Sequence, residues 1–381
     1  MRYILIVLIF LGQFQAASQQ SDFLKEADSL NAVGKTSAAI ALLESNSDQS
    51  EKTLLRLAEY QKKSNLKEAA LANYQQVLQM NPNRVLTAMD YGELLLDTDK
   101  PEAAKKLFSE LSEKYPENAS FRFRLGLARE KLQDSSAIDD FYKTVELDST
   151  HQGALYKTSK YELRNGRHFN AAALAKKGLE VNANNASLLS ILGQSYMVSF
   201  QFEKAIEPFQ QLVAQGESGE FILQNLAKAY TATGKTDQAI ETYLKMIELS
   251  PGNASAFTNL GVLYFKKDEN SLAREAFFSA LELKNPEVDN EYVYIGLTLK
   301  NEKNYQLAYP VFLNALKENP NNERALLEIA LVADAFMEDK KTILQLYENY
   351  MNRYRGSGNP SQLELADFRI RDLKKELHMA E

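Results

Sequence analysis

Few residue types in this chain could carry covalent or metal chemistry. Cysteine is absent, which removes disulfides, thiolate metal sites and a thiol nucleophile. The three histidines, His151, His168 and His378, stand far apart, and no His-Glu-x-x-His pair exists to hold zinc. Gly193-Gln194-Ser195 opens the Gly-x-Ser-x-Gly pattern of a serine hydrolase, but Tyr196 and Met197 follow. Gly-Lys-Thr occurs at Gly34-Lys35-Thr36 and Gly234-Lys235-Thr236. A phosphate loop needs glycine five residues earlier, where Ser29 and Ala229 stand. Ser64-Asn65-Leu66-Lys67 matches Ser-x-x-Lys without the companion Lys-Thr-Gly. Asn118, Asn185 and Asn253 each open an Asn-Ala-Ser glycosylation triplet, but each also precedes a helix, where asparagine is a good N-cap. The residues therefore predict no enzyme, no cofactor and no metal.

The same residues lie on a regular scaffold. Small residues recur at Ala27, Ala58, Gly92, Gly126, Ser159, Gly193, Ala227, Gly261, Gly296 and Ala330, at steps of 31 to 35 residues. Alanine follows twelve residues later in most copies, as at Ala70, Ala104, Ala205 and Ala273. Ala137 follows Gly126 by eleven, and Thr342 replaces alanine in the last copy. A bulky residue comes four positions further on, from Leu43, Tyr74 and Phe108 to Phe312 and Leu346, with Ala175 as the exception. Two helices cross closely only where side chains are small, so this period predicts an antiparallel helix pair per copy, each glycine facing an alanine. Breakers stand between the two helices: Gly34, Asp99-Lys100-Pro101, Asn165-Gly166, Gly234 and Asp268-Glu269-Asn270. Pro82, Pro116, Pro251, Pro286 and Pro320 end the second helix of their copies. One pair cannot bury its apolar face alone, so stacked pairs share a core.

The chain at this point resembles the tetratricopeptide repeat (TPR) family. The resemblance rests on Asn225-Leu226-Ala227-Lys228-Ala229-Tyr230 with Ala239, Tyr243 and Pro251, and on Asn259-Leu260-Gly261-Val262-Leu263-Tyr264 with Ala273 and Phe277. It covers roughly residues 20–355 in ten copies. The first copy is short and has Glu26 where leucine is usual. The fifth places Thr158, Glu162 and Ala175 at normally apolar positions. The implied fold is all-α: a right-handed α-solenoid of about ten helix-turn-helix units. A further helix at 361–379 follows Gly356-Ser357-Gly358-Asn359-Pro360, with Leu363, Ala366, Ile370, Leu373 and Leu377 as one apolar stripe. Its expected role is a cap on the last repeat, since three turns of stripe are too few for an isolated coiled coil.

Such a stack curves, with the first helix of each pair, helix A, on the inner wall. Positions three before, two before, one after, four after and five after the small residue face that wall. Asn225 and Asn259 stand two before. By resemblance to peptide-binding TPR proteins, asparagine here is expected to hold a ligand main chain with both amide groups. The same offsets bring Arg124, Lys131, Lys157, Lys160 and Arg164 together, with Lys228 nearby. On a chain of net charge −7 this is a local reversal of sign that attracts carboxylate or phosphate. Met197, Val198, Val262, Phe265, Tyr294 and Leu297 make the wall more apolar further along. The composition, 45% apolar and 25% charged, is globular, and its acidity argues against nucleic acid as partner.

Arg2, the apolar run Tyr3 to Leu11 and the small residues Ala16, Ala17 and Ser18 read as a cleaved signal peptide over 1–18. The run is too short to span a bilayer, which needs about 20 residues. No cysteine stands at the cut to carry a lipid anchor. The expected protein is a periplasmic or secreted scaffold that holds a protein or peptide, with an acidic segment, in its concave groove. The alternatives are a structural repeat assembling through its convex face and an accessory subunit of an envelope-polymer enzyme.

Overall fold

The computed structural model describes residues 23–46, 49–283 and 288–379. Residues 1–18, read above as a signal peptide, and Pro286 lie outside them. The chain divides into two compact units, residues 1–165 and 166–381. The first contains α1 (23–32), α2 (Thr36–Ser45), α3 (Glu51–Lys63), α4 (Lys67–Met80), α5 (Val85–Asp97), α6 (Pro101–Lys114), α7 (Ala119–Lys131), α8 (Ala137–Leu147) and α9 (Gln152–Arg164). The second contains α10 (His168–Val181), α11 (Ala186–Val198), α12 (Phe202–Ala214), α13 (Glu220–Ala232), α14 (Thr236–Leu249), α15 (Ala254–Lys266), α16 (Asn270–Leu283), α17 (Asp289–Asn301), α18 (Tyr305–Glu318), α19 (Glu323–Phe336), α20 (Lys340–Tyr354) and α21 (Pro360–His378). No strand occurs among the described residues. Each unit is an all-α stretch of repeat solenoid in which helices pack on their sequence neighbours, and in the second unit α11 meets α13 and α15 meets α17, the equivalent helices one repeat away.

The repeats hold their register through a residue in the left-handed region at the turn between paired helices. Gly34, Gly166 and Gly234 have φ of +81°, +75° and +74°. Asn65, Asp99, Gln133, Phe200, Asp268 and Lys303 occupy the same place with φ of +56° to +62°. Glycine, asparagine and aspartate tolerate this conformation, whereas a phenylalanine does so under strain. Asn118, Asn185, Asn253 and Asn322 cap α7, α11, α15 and α19 by accepting from the backbone N–H three residues on, at 2.9–3.2 Å. The capping reading of the three Asn-Ala-Ser triplets is borne out.

The close crossing differs from the expected glycine against alanine. A methyl group placed on Gly193, Gly261 or Gly296 would lie 2.8, 2.7 or 2.6 Å from the ring of Phe209, Phe277 or Phe312. Gly92 and Gly126 face Phe108 and Phe141 in the same way. The small residue therefore receives the bulky ring from helix B, the second helix of the pair. The sequence obeys this rule in every repeat but the fifth, where Ser159 is followed by Ala175: phenylalanine sits opposite each helix-A glycine, and leucine or tyrosine opposite each alanine. A phenolic oxygen added at the ring tip would collide with the helix-A backbone where glycine stands.

The last repeat also shifts. Ile343 and Tyr347 are buried there, while Thr342 and Leu346 are only partly so. The α19–α20 connection has no left-handed residue and restarts the helix at the Asp339 cap, which displaces the pattern by one. α21 then lays Ala366, Ile370 and Leu373 against Leu327, Tyr347 and Tyr350. Arg369 pins it, donating to both oxygens of Asp334 at 2.6 and 2.9 Å.

Candidate partner-binding surface

The five expected cations of the first unit, Arg124, Lys131, Lys157, Lys160 and Arg164, fall into two clefts. One, of about 680 Å³, lies among α5, α7 and the start of α9. Arg124 lines it and is already committed: its guanidinium pairs with Glu93 and donates to the Ser120 carbonyl at 3.3 Å. His151 closes the cleft. Its Nδ1 accepts from the Ala154 N–H at 3.2 Å, taking the N-cap place that asparagine fills in neighbouring repeats. The imidazole rests on Phe123 with ring centroids 4.5 Å apart. Burial pushes it below its ordinary value, Asp148 opposing this and Arg124 adding to it.

The second cleft, of about 640 Å³, is bounded by the end of α7, the start of α8 and α9. Lys157, Lys160 and Arg164 line it over the apolar floor of Ile138 and Phe141. Lys157 pairs with Glu130 and sits 5.8 Å from the Phe141 ring centroid. Lys160 lies 5.5 Å from the ring of Tyr156, and neither Lys160 nor Arg164 has an ion pair among the described residues. Asp134 is tied up by Ser136 and Lys105, whose hydrogen bonds hold its carboxyl below the usual range. The expectation of a five-cation patch is therefore corrected: Lys131 pairs with Asp99 at 3.2 Å. Arg124 and Lys157 are only 22% and 24% exposed and are neutralised, which leaves Lys160 and Arg164 to meet a ligand.

Glu93 and Glu130 were missed, although they stand one and four residues after the small positions Gly92 and Gly126. Reading acids as well as bases at those offsets would have found them. A triad built on one buried carboxylate also escaped notice. Asp140, on α8 and 3% exposed, takes Arg122 at 3.1 Å and Arg129 at 2.6 Å, both from α7. Arg122 and Arg129 hold positions that are leucine or another large side chain in most repeats.

In the second unit, Asn225 and Asn259 adopt matching conformations. Each donates its side-chain N–H to the carbonyl four residues earlier on its own helix, Phe221 at 2.7 Å and Ser255 at 2.8 Å. The amide oxygen of each makes no hydrogen bond among the described residues. The expected two-handed clamp is thus half used by the helix itself. Lys228 is exposed beside Asn225 on α13. Phe265 and Tyr294 serve repeat packing: they meet edge-on at 6.0 Å, and Tyr294 stacks on Phe277 at 5.1 Å and 10°. Leu297 is core, while Val198 is half exposed.

Among the described residues no cluster of His, Asp and Glu could hold a metal, and no helix is long and apolar enough to cross a membrane. Tetratricopeptide-repeat family models match residues 62–123 and 227–268, the second stretch containing Lys228, Asn259 and Phe265. Each compact unit thus contains one stretch that matches a tetratricopeptide-repeat model. No curated protein matches it. Similar solved structures include YrrB, a TPR protein with an unusual peptide-binding site, at 23% identity over 46% of this chain and 92% of that one, with a TM-score of 0.44. A tetratricopeptide repeat protein from Parabacteroides merdae is 16% identical over 66% of this chain and 100% of its own, with a TM-score of 0.43. Yeast Tom70 is 15% identical over 93% and 89%, with a TM-score of 0.41.

Proposed function

We propose that the protein is an exported, non-enzymatic scaffold that holds a protein or peptide partner on the helix-A faces of its repeats, in the service of an envelope assembly. The observation that carries this reading is the matched pair Asn225 and Asn259, each presenting an uncommitted amide oxygen from the same repeat position. These oxygens accept main-chain N–H groups of an extended segment. In the first unit, Lys160 and Arg164 supply unneutralised positive charge for an acidic stretch. Arg2 and the Tyr3–Leu11 run support export, since they have the order of a signal peptide.

The test uses the partner recovered by affinity purification with the tagged chain from its own envelope fraction. Lys160→Glu with Arg164→Glu slows association and flattens its salt dependence, as for charges at an interface rim. Asn225→Ala with Asn259→Ala speeds release, because hydrogen bonds to the partner main chain are lost. If both variants bind as the parent does, the helix-A faces are not the binding surface.

A further inference from the structure

The second unit builds one cleft twice, 34 residues apart, with different chemistry each time. The later copy lies among α12, α13 and α14, has a volume of about 290 Å³ and is closed by its own polar groups. Gln210 donates to the Tyr230 hydroxyl at 2.7 Å, Thr242 donates to the Gln238 carbonyl at 2.7 Å, and Lys245 is held by Glu241 at 2.8 Å.

The earlier copy, among α10, α11 and α12, measures about 540 Å³. Tyr196 stands for Tyr230, but Lys176 replaces Gln210, Lys204 replaces Gln238 and Pro208 replaces Thr242. Both ammonium groups lie against one ring, 5.6 and 5.9 Å from the Tyr196 centroid. Neither has an ion pair among the described residues, and Lys204 makes only a hydrogen bond to Gln201 at 2.9 Å. Glu207, whose counterpart Glu241 neutralises Lys245, here meets the neutral amide of Gln211. Below the lysines the wall is apolar: Leu189, Leu192 and Pro208 are buried, and Leu179 partly so.

We propose that this cleft is a binding site for an aliphatic carboxylate, its head between Lys176 and Lys204 and its chain on the leucine wall. Two unpaired cations gathered at one ring repel each other and gain from a shared anion. The apolar floor rewards burial of the attached hydrocarbon. Glu180 and Glu207 also stand on the rim, so the attraction is local and requires the head to reach both lysines. The site involves none of the residues assigned to the partner surface and stands or falls separately from it.

Isothermal titration of the full chain with decanoate, decanol and inorganic phosphate tests this. Decanoate should bind, and decanol and phosphate should each bind about tenfold or more weaker, as the loss of a charge-assisted contact or of buried chain implies. Lys176→Gln with Lys204→Gln, which gives this cleft the polar groups of the next repeat, should weaken decanoate by about tenfold or more. Lys245→Gln should leave its affinity unchanged. Both lysines are exposed, so unchanged melting of the double variant separates binding from folding. Absence of decanoate binding up to its solubility limit, equal binding of decanol, or parental affinity in the double variant would overturn the proposal.

Discussion

Single side chains set the geometry of this protein, and two of them make sharp predictions. Gly261 receives the Phe277 ring, and Phe277 has little freedom to withdraw because Tyr294 stacks on it. Gly261→Leu should cost on the order of 1–3 kcal/mol through overpacking. Gly261→Ala should also destabilise, though helix propensity returns up to about 1 kcal/mol. Adding Phe277→Leu should relieve the strain, and chemical denaturation of the double-mutant cycle measures this coupling. His151 predicts a pH effect. Its cap needs a neutral imidazole, and burial holds the folded group below 6.5. The unfolded chain therefore binds the proton first. The stabilisation is complete above the unfolded value and is lost as pH falls towards the folded one. Asparagine keeps the cap without titrating, so His151→Asn should remove a loss of up to about 1 kcal/mol at acid pH. Thermal melts of both proteins from neutral to mildly acidic pH check this.

At the scale of the helical pair, the turn and the buried charge matter most. Phe200 is 80% exposed and holds the left-handed place that glycine takes elsewhere, at φ +57°. Phe200→Gly should raise stability by about 1 kcal/mol through relief of that conformation, read as a higher melting temperature. The Arg122–Asp140–Arg129 group has the opposite expectation. Asp140→Asn leaves two guanidinium groups without their shared carboxylate and should cost about 2–3 kcal/mol, below the range for a fully buried pair because both arginines keep some solvent contact. The helical pairs themselves were legible in the sequence, because small residues, breakers and prolines recur at one period. Gly34, Asp99, Gly166, Gly234 and Asp268 all proved to be the left-handed turn residues. What escaped was pairing across repeats. Glu93 and Glu130 lie 31 and 27 residues from the cations they neutralise, on the helix A one repeat earlier, and a map of the basic residues alone passes over them. Phe265 and Tyr294 read as wall residues because their offsets are right. Their role in packing depends on ring positions that spacing does not encode.

Across the whole chain, the division at residues 165 and 166 falls in the fifth repeat, the one where Ser159 and Ala175 replace the small-and-bulky pair. Repeat arrays are stabilised by neighbour contacts, so deletion of residues 220–253, the α13–α14 pair, should leave a folded helical protein of reduced stability. Circular dichroism and melting test this. Export predicts that the native product lacks about 18 N-terminal residues, which intact mass measurement decides. The central claim concerns which surface meets the partner, and site-specific photo-crosslinking in the native envelope addresses it most directly. The crosslinker is placed at Lys160 or Lys228 on helix-A faces, and at Lys177 or Lys245 on helices α10 and α14. All four positions are exposed. The account predicts one common polypeptide captured from 160 and 228 and not from 177 or 245. Capture from 177 and 245 alone would contradict it.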